Sequence, residues 1–395
     1  MTPAIRSTVL ACLFFAGFGC LIQFLPLWLE KVHGFTGTQI GLVLAIGGFS
    51  RVIAGPLTAA WADGRSDRRA PMFLFAGLLT AGFLALRFLS GFYAVFAVIL
   101  FLDICFWGLL PVVETALLRL TKNGGPSYGT ARGLASAAFV VGTFAVGRMI
   151  DAFGPWSIWG FMLGVSALLL ACAWWMRPEP VGGVAPEAAF VDRLAAGVGM
   201  LRDPTFTLFI FAAGLIQATH SFFYVSGVLI WTNVQHLSGT TVGLLWNVGV
   251  IAEVGFLIFG AKWSAKFRPE TLIVAGGVGA IIRWTALSAL PPVALLVPLQ
   301  LLHAATFAAT FLGGMRLIQR LHGDDRTPTA QMIYMALASA PTQAAATLIS
   351  GPLYDTYGAK GYLAMTAIAG VGLALAVVLR ARAARIAPQG ELALS

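Results

Sequence analysis

The sequence predicts an all-α membrane protein in which twelve spanning helices form two pseudo-symmetric six-helix bundles. Three observations predict this fold class: the apolar composition, the number of apolar segments of spanning length, and an internal repeat at about half of the chain. The 395 residues are 58% hydrophobic and 10% charged, whereas about a quarter of an ordinary soluble chain is charged. Such a composition indicates a protein that lies in lipid over most of its length.

The apolar segments are each about 20 residues long, the length of a helix that crosses the hydrocarbon core of a bilayer. In chain order they lie near 7–29, 38–61, 71–90, 93–118, 130–150, 156–176, 205–232, 240–261, 271–290, 292–315, 329–350 and 361–380. We expect the first segment to be a membrane helix and not a removable signal. It follows Arg6 at full spanning length and shows no small-residue cleavage site.

The distribution of basic residues predicts the orientation in the membrane. The formal net charge is +9; when the 25 Lys and Arg residues are assigned to alternate sides, 18 fall on the inner side, four on the outer side and three within the spans. This bias places both termini in the cytoplasm, as in a protein of the bacterial inner membrane. We therefore attribute the excess of basic residues to the membrane topology and expect no nucleic acid partner.

The sequence offers no pattern for enzymatic chemistry. It has no phosphate-binding loop, no nucleophile elbow and no paired spacing of metal ligands. Its four cysteines lie inside apolar segments without disulfide spacing: Cys12, Cys20, Cys105 and Cys172. No polar stretch is long enough for a nucleotide-binding domain, which argues against an ATP-driven pump. We expect no catalysis, no metal and no cofactor.

The two halves of the chain repeat each other. The sequence G-F-T-G-T-Q-I-G-L at 34–42 recurs as H-L-S-G-T-T-V-G-L at 236–244, an offset of 202 residues. The sequence G-R-M-I-D-A-F-G at 147–154 recurs as G-P-L-Y-D-T-Y-G at 351–358, an offset of 204 residues. Same-sense repeats of six helices are typical of transporters whose substrate site lies near the bilayer midplane, between the repeats.

The repeat predicts the division of the chain. We expect an N-terminal six-helix bundle at 1–177 and a C-terminal six-helix bundle at 205–395. The stretch 178–204 between them is rich in Pro, Gly and Ala and is too short for a domain. It is therefore interpreted as a cytoplasmic linker, and we expect a monomer.

A charged hairpin is the strongest signal for a site. Within residues 111–142, Glu114 precedes and Arg132 follows a short polar loop, and the two are 18 residues apart. This spacing suits a helical hairpin with both charges at similar depth. Ionisable side chains inside a membrane are costly, and they usually face a partner or a water-filled cavity. Two interpretations stay open: a structural ion pair, or a substrate or proton site.

A second pair of charges follows from the repeat. Arg51 lies midway through the second apolar segment, and the position 202 residues later is Glu253. Whether the two meet or each pairs with a different neighbour stays open. We favour Glu253 as the proton carrier, because a carboxylate in an apolar helix can load and release protons near neutral pH. His303 and Asp103 are the alternatives.

Polar side chains also recur at helical spacing, which places them on common faces. The faces are Asp103, Trp107 and Glu114; Gln217, His220 and Tyr224; and Gln300, His303, Phe307 and Thr310. We interpret these faces as cavity-lining. Gln23 and Asn247 add single amides to the candidate set.

Two motifs of the first half resemble a known family. P-x-V-E, followed by the Arg of Y-G-x-A-R-x-x-G, is similar to the helix 4–5 hairpin of lactose permease and its relatives, which are major facilitator symporters. The resemblance implies that Glu114 and Arg132 contact substrate. The loop at 59–69 resembles the major facilitator gate signature, although Ala59 and Gly64 depart from it. That resemblance implies a gate role for four charged residues: Asp63, Arg65, Arg68 and Arg69.

The second half resembles the phenylpropionate permease branch, near the lactose and nucleoside symporters. The stretches that carry the resemblance are 217–224, 243–254, 283–284 and 302–307. Arg283 and His303 are twenty residues apart, as the matching Arg and His are in lactose permease. That permease has a proton-carrying Glu three residues after the His, where this chain has Thr306. The resemblance also implies that helices 1, 4, 7 and 10 line a central cavity.

These observations predict a secondary transporter that takes up a small aromatic carboxylate with a proton by alternating access. Three intramembrane Arg residues balance three carboxylates, so protonation of one carboxylate leaves a positive charge that attracts an organic anion. The expected substrate contacts are Glu114, Arg132, Gln23, Trp107, Gln217, His220, Tyr224, Arg283 and Asn247. The expected coupling residues are Glu253, His303, Asp103 and Arg51. The alternatives are a sugar or nucleoside symporter, a drug or metabolite exporter, and a membrane sensor that does not transport.

Overall fold

The computed structural model describes residues 3–63, 69–122, 127–176 and 197–386, and the regular structure in these ranges is helical. The helices are α1 (Pro3–His33), α2 (Gly37–Asp63), α3 (Arg69–Leu86), α4 (Phe92–Lys122), α5 (Tyr128–Phe153), α6 (Trp156–Trp175), α7 (Pro204–Val234), α8 (Gly239–Ser264), α9 (Pro269–Ser288), α10 (Val293–Gly323), α11 (324–357) and α12 (Tyr362–Ile386). Each of the twelve predicted segments therefore falls on a helix. The predicted fold class is confirmed.

The helices have the length and composition of membrane spans. Ten segments in the described residues are long and apolar enough to cross a membrane, and one of these, Arg326–Arg385, covers most of α11 and α12. The apolar part of α2, Gly37–Ser50, is shorter. The chain is thus an integral membrane protein.

The described residues form two compact units. The first unit holds the described residues up to 176 together with Tyr224–Asn247, and the second holds 197–223 and 248–386. In the first unit α1 packs against α5 and α2 packs against α4; in the second, α9 and α7 pack against α12. The predicted linker lies mostly outside the described residues, so the bundle boundaries at 177 and 205 stay a prediction.

Small residues let α1 and α5 approach closely. A Cβ atom added to Gly142 of α5 would lie 3.0 Å from the Cα atom of Ala16 in α1. A Cβ atom added to Gly19 of α1 would lie 2.7 Å from Thr143 Cγ2 of α5, and Thr143 is fully buried. Helices in lipid associate through such close packing, because there is no hydrophobic gain between them. This contact fixes α5, which carries Arg132.

Irregular turns interrupt α7 and α10 where polar candidates lie. In α7, the α-helix Pro204–Ala218 ends at Thr219 and a second helix starts at His220. In α10, the stretch Ala304–Ala309 is π-helical and directly follows His303. Single π turns are frequent at functional sites, because they re-aim side chains within a helix. The chain leaves α10 at Gly323, whose φ of 66° breaks the helical path.

Candidate functional site

The first cluster lies where α4 meets α5. Arg132 Nε is 3.4 Å from Glu114 Oε1, and Tyr128 Oη donates a hydrogen bond of 2.9 Å to Glu114 Oε2. Arg132 Nη1 donates to Ser136 Oγ at 3.0 Å, and the Arg132 Cζ atom lies 4.0 Å from the centroid of the Phe15 ring. The structure thus brings together the two charges of the hairpin, as their spacing predicts.

The Arg132 side chain remains available to a ligand. Its side chain is 35% exposed and that of Glu114 is 27% exposed. The described partners of this part-exposed guanidinium are Glu114, Tyr128, Ser136 and the Phe15 ring. A guanidinium edge of this kind can bind a carboxylate through two parallel hydrogen bonds. The Phe15 ring against its face adds a cation–π contact and an apolar surface beside the charge.

Asp103 has a different environment in the same unit. Its Oδ2 accepts a hydrogen bond from Ser50 Oγ at 3.0 Å, and its Oδ1 accepts one from Trp107 Nε1 at 3.1 Å. A Cβ atom added to Gly47 would lie 2.5 Å from Asp103 Oδ2, so the carboxylate rests on the backbone of α2. These contacts join α2 to α4 and engage the indole N–H that sequence reasoning assigned to substrate.

The predicted gate and Arg51 fall largely outside the part of the chain that the structure describes. Arg65 and Arg68 belong to undescribed residues, and for Arg51 and Asp63 the backbone is described but the side chain is not. Arg69 begins α3. Their roles stay predictions.

Two predicted ligand-binding amides are engaged in helix packing within the first unit. Gln23 is fully buried, and its Nε2 donates to the carbonyl of Val242 at 3.0 Å. Asn247 Nδ2 donates to the carbonyl of Val140 at 3.0 Å, and Asn247 Oδ1 accepts from Thr143 Oγ1 at 2.7 Å. Both amides join the start of α8 to α1 or α5. As substrate contacts they stay predictions.

Sequence reasoning missed one carboxylate in the first unit. Asp151, at the end of α5, accepts three hydrogen bonds from the first residues of α8. The donors are the amide of Gly239 at 2.6 Å, the amide of Thr240 at 2.9 Å and the Thr240 hydroxyl at 2.5 Å. A Cβ atom on Gly239 would lie 2.7 Å from the carbonyl oxygen of Gly147, so glycine is required at this contact. We refer to Asp151, Gly239 and Thr240 as the α5–α8 clamp.

The second cluster lies in the second unit, around Arg283 of α9. Arg283 is 1% exposed. Its Nη1 is 3.1 Å from His303 Nδ1, and its Nη2 donates to Gln300 Oε1 at 2.8 Å. His303 Nε2 is 3.2 Å from Glu253 Oε2. The sequence-predicted residues Glu253, Arg283 and His303 therefore come together in one chain of contacts.

The same cluster extends to α7 through Thr306. His220 Nε2 is 3.0 Å from Thr306 Oγ1, and His220 Nδ1 is 3.0 Å from the carbonyl of Gln217. A carbonyl only accepts hydrogen bonds, so His220 Nδ1 carries a proton and Nε2 accepts from the threonine hydroxyl. Gln217 Nε2 donates to the carbonyl of Phe307 at 3.2 Å. The Tyr224 ring, in the first unit, packs 5.9 Å from that of Trp246.

The hydrogen-bond partners also fix the tautomer of His303. A guanidinium only donates hydrogen bonds, so the Nδ1 atom that faces Arg283 carries a lone pair and no proton. The proton of the neutral ring is then on Nε2, where it points to the Glu253 carboxylate. A second proton on this imidazole would have to displace Arg283.

Comparisons with known proteins give the family. The MFS_1 like family matches residues 5–364. The chain is 26% identical over 367 residues to a protein of Escherichia coli (strain K12) described as a probable 3-phenylpropionic acid transporter, which covers 90% of this chain and 92% of that relative. It is 25% identical over 396 residues to the maltose permease of Geobacillus stearothermophilus, and this alignment covers 96% of this chain and 97% of that relative.

Solved structures agree in fold. The nucleoside transporter NupG superposes with a TM-score of 0.84 at 15% identity, covering 96% of this chain and 99% of that one. A peptide transporter POT in complex with sulfate gives a TM-score of 0.74 at 14% identity, covering 97% and 94%. The relatives and the structural neighbours are transporters and not enzymes. With a family match over most of its length, the chain belongs to the MFS_1 like family of major facilitator transporters.

Proposed function

We propose that the protein is a proton-coupled symporter of a small aromatic monocarboxylate, working by alternating access as a monomer in a bacterial inner membrane with both termini in the cytoplasm. The observation that carries the proposal is the part-exposed Arg132 guanidinium with an aromatic ring against its face. These are the two groups that an aromatic acid requires. The resemblance to a probable 3-phenylpropionic acid transporter supports the same substrate class.

Arg132 suits an anion better than Arg283 does. Arg283 is 1% exposed, and its two terminal nitrogens contact His303 and Gln300. A ligand that replaced either contact would leave a buried polar partner unsatisfied, which costs about 1–3 kcal/mol. The Arg132 side chain is 35% exposed, so a partner that a ligand displaces there can be solvated. We therefore assign substrate binding to Arg132 and a positioning role to Arg283.

We assign the coupling proton to Glu253. His303 already presents its Nε2 proton to Glu253 and its Nδ1 lone pair to Arg283, so it has no vacant site for a second proton. Asp103 accepts hydrogen bonds from Ser50 of α2 and Trp107 of α4, and we assign it to the packing of these two helices. Glu253 Oε2 lies 3.2 Å from Nε2 of the neutral His303 ring. This arrangement suits a carboxylate that loads and releases a proton.

Transport assays with purified protein in liposomes test the proposal. With an inward pH gradient, 3-phenylpropionate should accumulate, and an uncoupler should abolish accumulation. The neutral amide of the same acid should compete far more weakly than the acid, because it offers no charge to Arg132. Equal competition by the amide, or by maltose, would refute an anionic substrate.

The same experiment tests the alternatives: a sugar and a nucleoside are added as competing substrates, and an exporter would show no uptake of the acid. A sugar site needs several amide and carboxylate groups around the hydroxyls. Two of the candidate amides, Gln23 and Asn247, are already bonded to backbone carbonyls in the first unit. This favours the acid over a sugar. Uptake of maltose or a nucleoside, but not of the acid, would select the alternative.

A further inference from the structure

The environment of Glu114 has a consequence for ligand binding. One carboxylate oxygen lies 3.4 Å from Arg132 Nε, and the other accepts a hydrogen bond from Tyr128. These are the charged and titratable groups that the structure describes against Glu114, and both belong to α5. From α1, Phe15 contributes an aromatic ring beside Arg132. On α2, which packs against α4, the side chain of Arg51 is outside the described residues.

A ligand carboxylate on Arg132 would be a second anion at the same cation. The nitrogens of a guanidinium are about 2.3 Å apart and coplanar, so a ligand held at the Nη edge lies close to Glu114, which is held at Nε. Two carboxylates that share one site do not both stay ionised readily, because like charges at short range disfavour the charged form. The pair of anions is therefore expected to take up one proton.

Glu114 is the better acceptor of that proton. The ligand can form two parallel hydrogen bonds with the guanidinium, whereas Glu114 faces a single nitrogen at 3.4 Å, beyond the usual hydrogen-bond range of about 2.7–3.2 Å. Once protonated, Glu114 can donate its new O–H to the ligand and still accept the Tyr128 hydrogen bond on the other oxygen. One O–H bond forms at Oε1, one proton leaves the solvent, and the ionic contact with Arg132 passes to the ligand.

We propose that Glu114 is a ligand-linked proton site, which takes up one proton when an organic carboxylate binds Arg132. The inference rests on the proposed function, because it assumes an anionic substrate. It adds to that function a second proton, distinct from the one assigned to Glu253 in the other unit. The bound acid then travels with its charge balanced locally.

Calorimetry on purified protein measures this proton directly. Binding of 3-phenylpropionate at pH 7.5 is titrated in two buffers of different ionisation enthalpy, and the difference in heat gives the number of protons bound. We expect an uptake close to one proton for the unchanged protein. Over the pH range in which binding takes up one proton, affinity should fall about tenfold per pH unit.

Two variants locate the proton. Glu114→Gln keeps an acceptor for Tyr128 but cannot ionise, so it should bind the acid with almost no proton uptake and with affinity independent of pH. Glu253→Gln should retain the uptake seen on binding. Proton uptake on binding that persists in Glu114→Gln would overturn the assignment to Glu114. Proton uptake that vanishes in Glu253→Gln alone would overturn it as well.

A third variant covers the case in which Glu114→Gln does not fold. Tyr128→Phe removes a donor to the ionised carboxylate, so the pH range of proton uptake should move upward. An unchanged range would contradict the inference. Acid binding without any proton uptake would overturn the inference and leave the proposed substrate intact, whereas no binding of the acid at all would refute the proposed function itself.

Discussion

The α5–α8 clamp gives the sharpest test of the structure. Asp151 accepts hydrogen bonds from the amides of Gly239 and Thr240 and from the Thr240 hydroxyl. The first amides of a helix have no partner within the helix, and a carboxylate there also interacts favourably with the helix dipole. The substitution Asp151→Asn keeps one carbonyl acceptor, removes the second and removes the charge.

The expected cost follows from these contacts. A hydrogen bond to a charged group contributes about 1.5–3 kcal/mol, a neutral one about 1 kcal/mol, and the dipole interaction about 0.3–1 kcal/mol. Asp151 is exposed and Thr240 is half-buried, so solvent screening reduces these values. We expect Asp151→Asn to weaken the clamp by about 2 kcal/mol, which is about a 30-fold change in the population of its open form.

Hydrogen exchange at the start of α8 measures this population. The peptide that covers 236–247 should exchange about 30-fold faster in Asp151→Asn than in the unchanged protein. Asp203→Asn is the matched control, because Asp203 caps α7 by accepting one hydrogen bond from the Thr205 amide. Asn is an equally good N-cap, so this control should leave exchange at 239–240 unchanged. An unchanged rate in Asp151→Asn would refute the clamp.

Three further substitutions test the remaining assignments. Arg132→Lys should lower uptake of the acid about 10–100-fold while the protein stays folded by gel filtration, because an ammonium group cannot replace the bidentate fork; normal uptake would leave Arg132 with a structural role. Glu253→Gln should lower accumulation driven by a pH gradient but keep counterflow exchange of labelled acid, because the proton at Glu114 then remains for coupling; accumulation equal to that of the unchanged protein would move the proton site assigned to Glu253 elsewhere. Gly142→Val should destabilise the first unit by about 1–3 kcal/mol, because its Cβ atom would meet Ala16 at 3.0 Å; an unchanged melting temperature would contradict the α1–α5 packing.

Sequence patterns were sufficient to predict the helices and the similar depth of Glu114 and Arg132. Apolar length identifies a span without reference to its neighbours, and 18 residues across a short loop fix two charges at one depth. Arg283 and His303 became candidates through their spacing and the resemblance to lactose permease, but their contact was not predicted. The burial of these groups depends on tertiary packing. Nothing in the neighbouring sequence distinguishes Arg132, whose side chain is 35% exposed, from Arg283, which is 1% exposed.

The partners of neutral polar side chains were the least predictable. Gln23 and Asn247 look like ligand contacts in sequence, because an isolated amide in an apolar helix requires a partner. In the structure their partners are backbone carbonyls of residues more than 100 positions away. Asp151 was missed although the repeat contained it, since G-R-M-I-D was interpreted as a marker of duplication. The repeats carried the signal, because one contains an acidic residue, Asp151, at the end of α5 and the other contains Gly239 at the start of α8.

The two carboxylates assigned to protons differ in how each one meets an arginine. Glu114 faces Arg132 directly, so its charge is balanced until a ligand competes for the guanidinium. Glu253 is separated from Arg283 by the neutral His303 ring, which contacts Arg283 through Nδ1 and Glu253 through Nε2. In the proposed mechanism, protonation of Glu114 therefore depends on bound substrate, whereas protonation of Glu253 depends on the pH. Replacing His303 with Phe would test this separation: the phenyl ring fills a similar space but offers no acceptor to Arg283 and no donor to Glu253. Accumulation should then fall while acid binding at Arg132 persists. Loss of acid binding in that variant would show that the two sites are not separate.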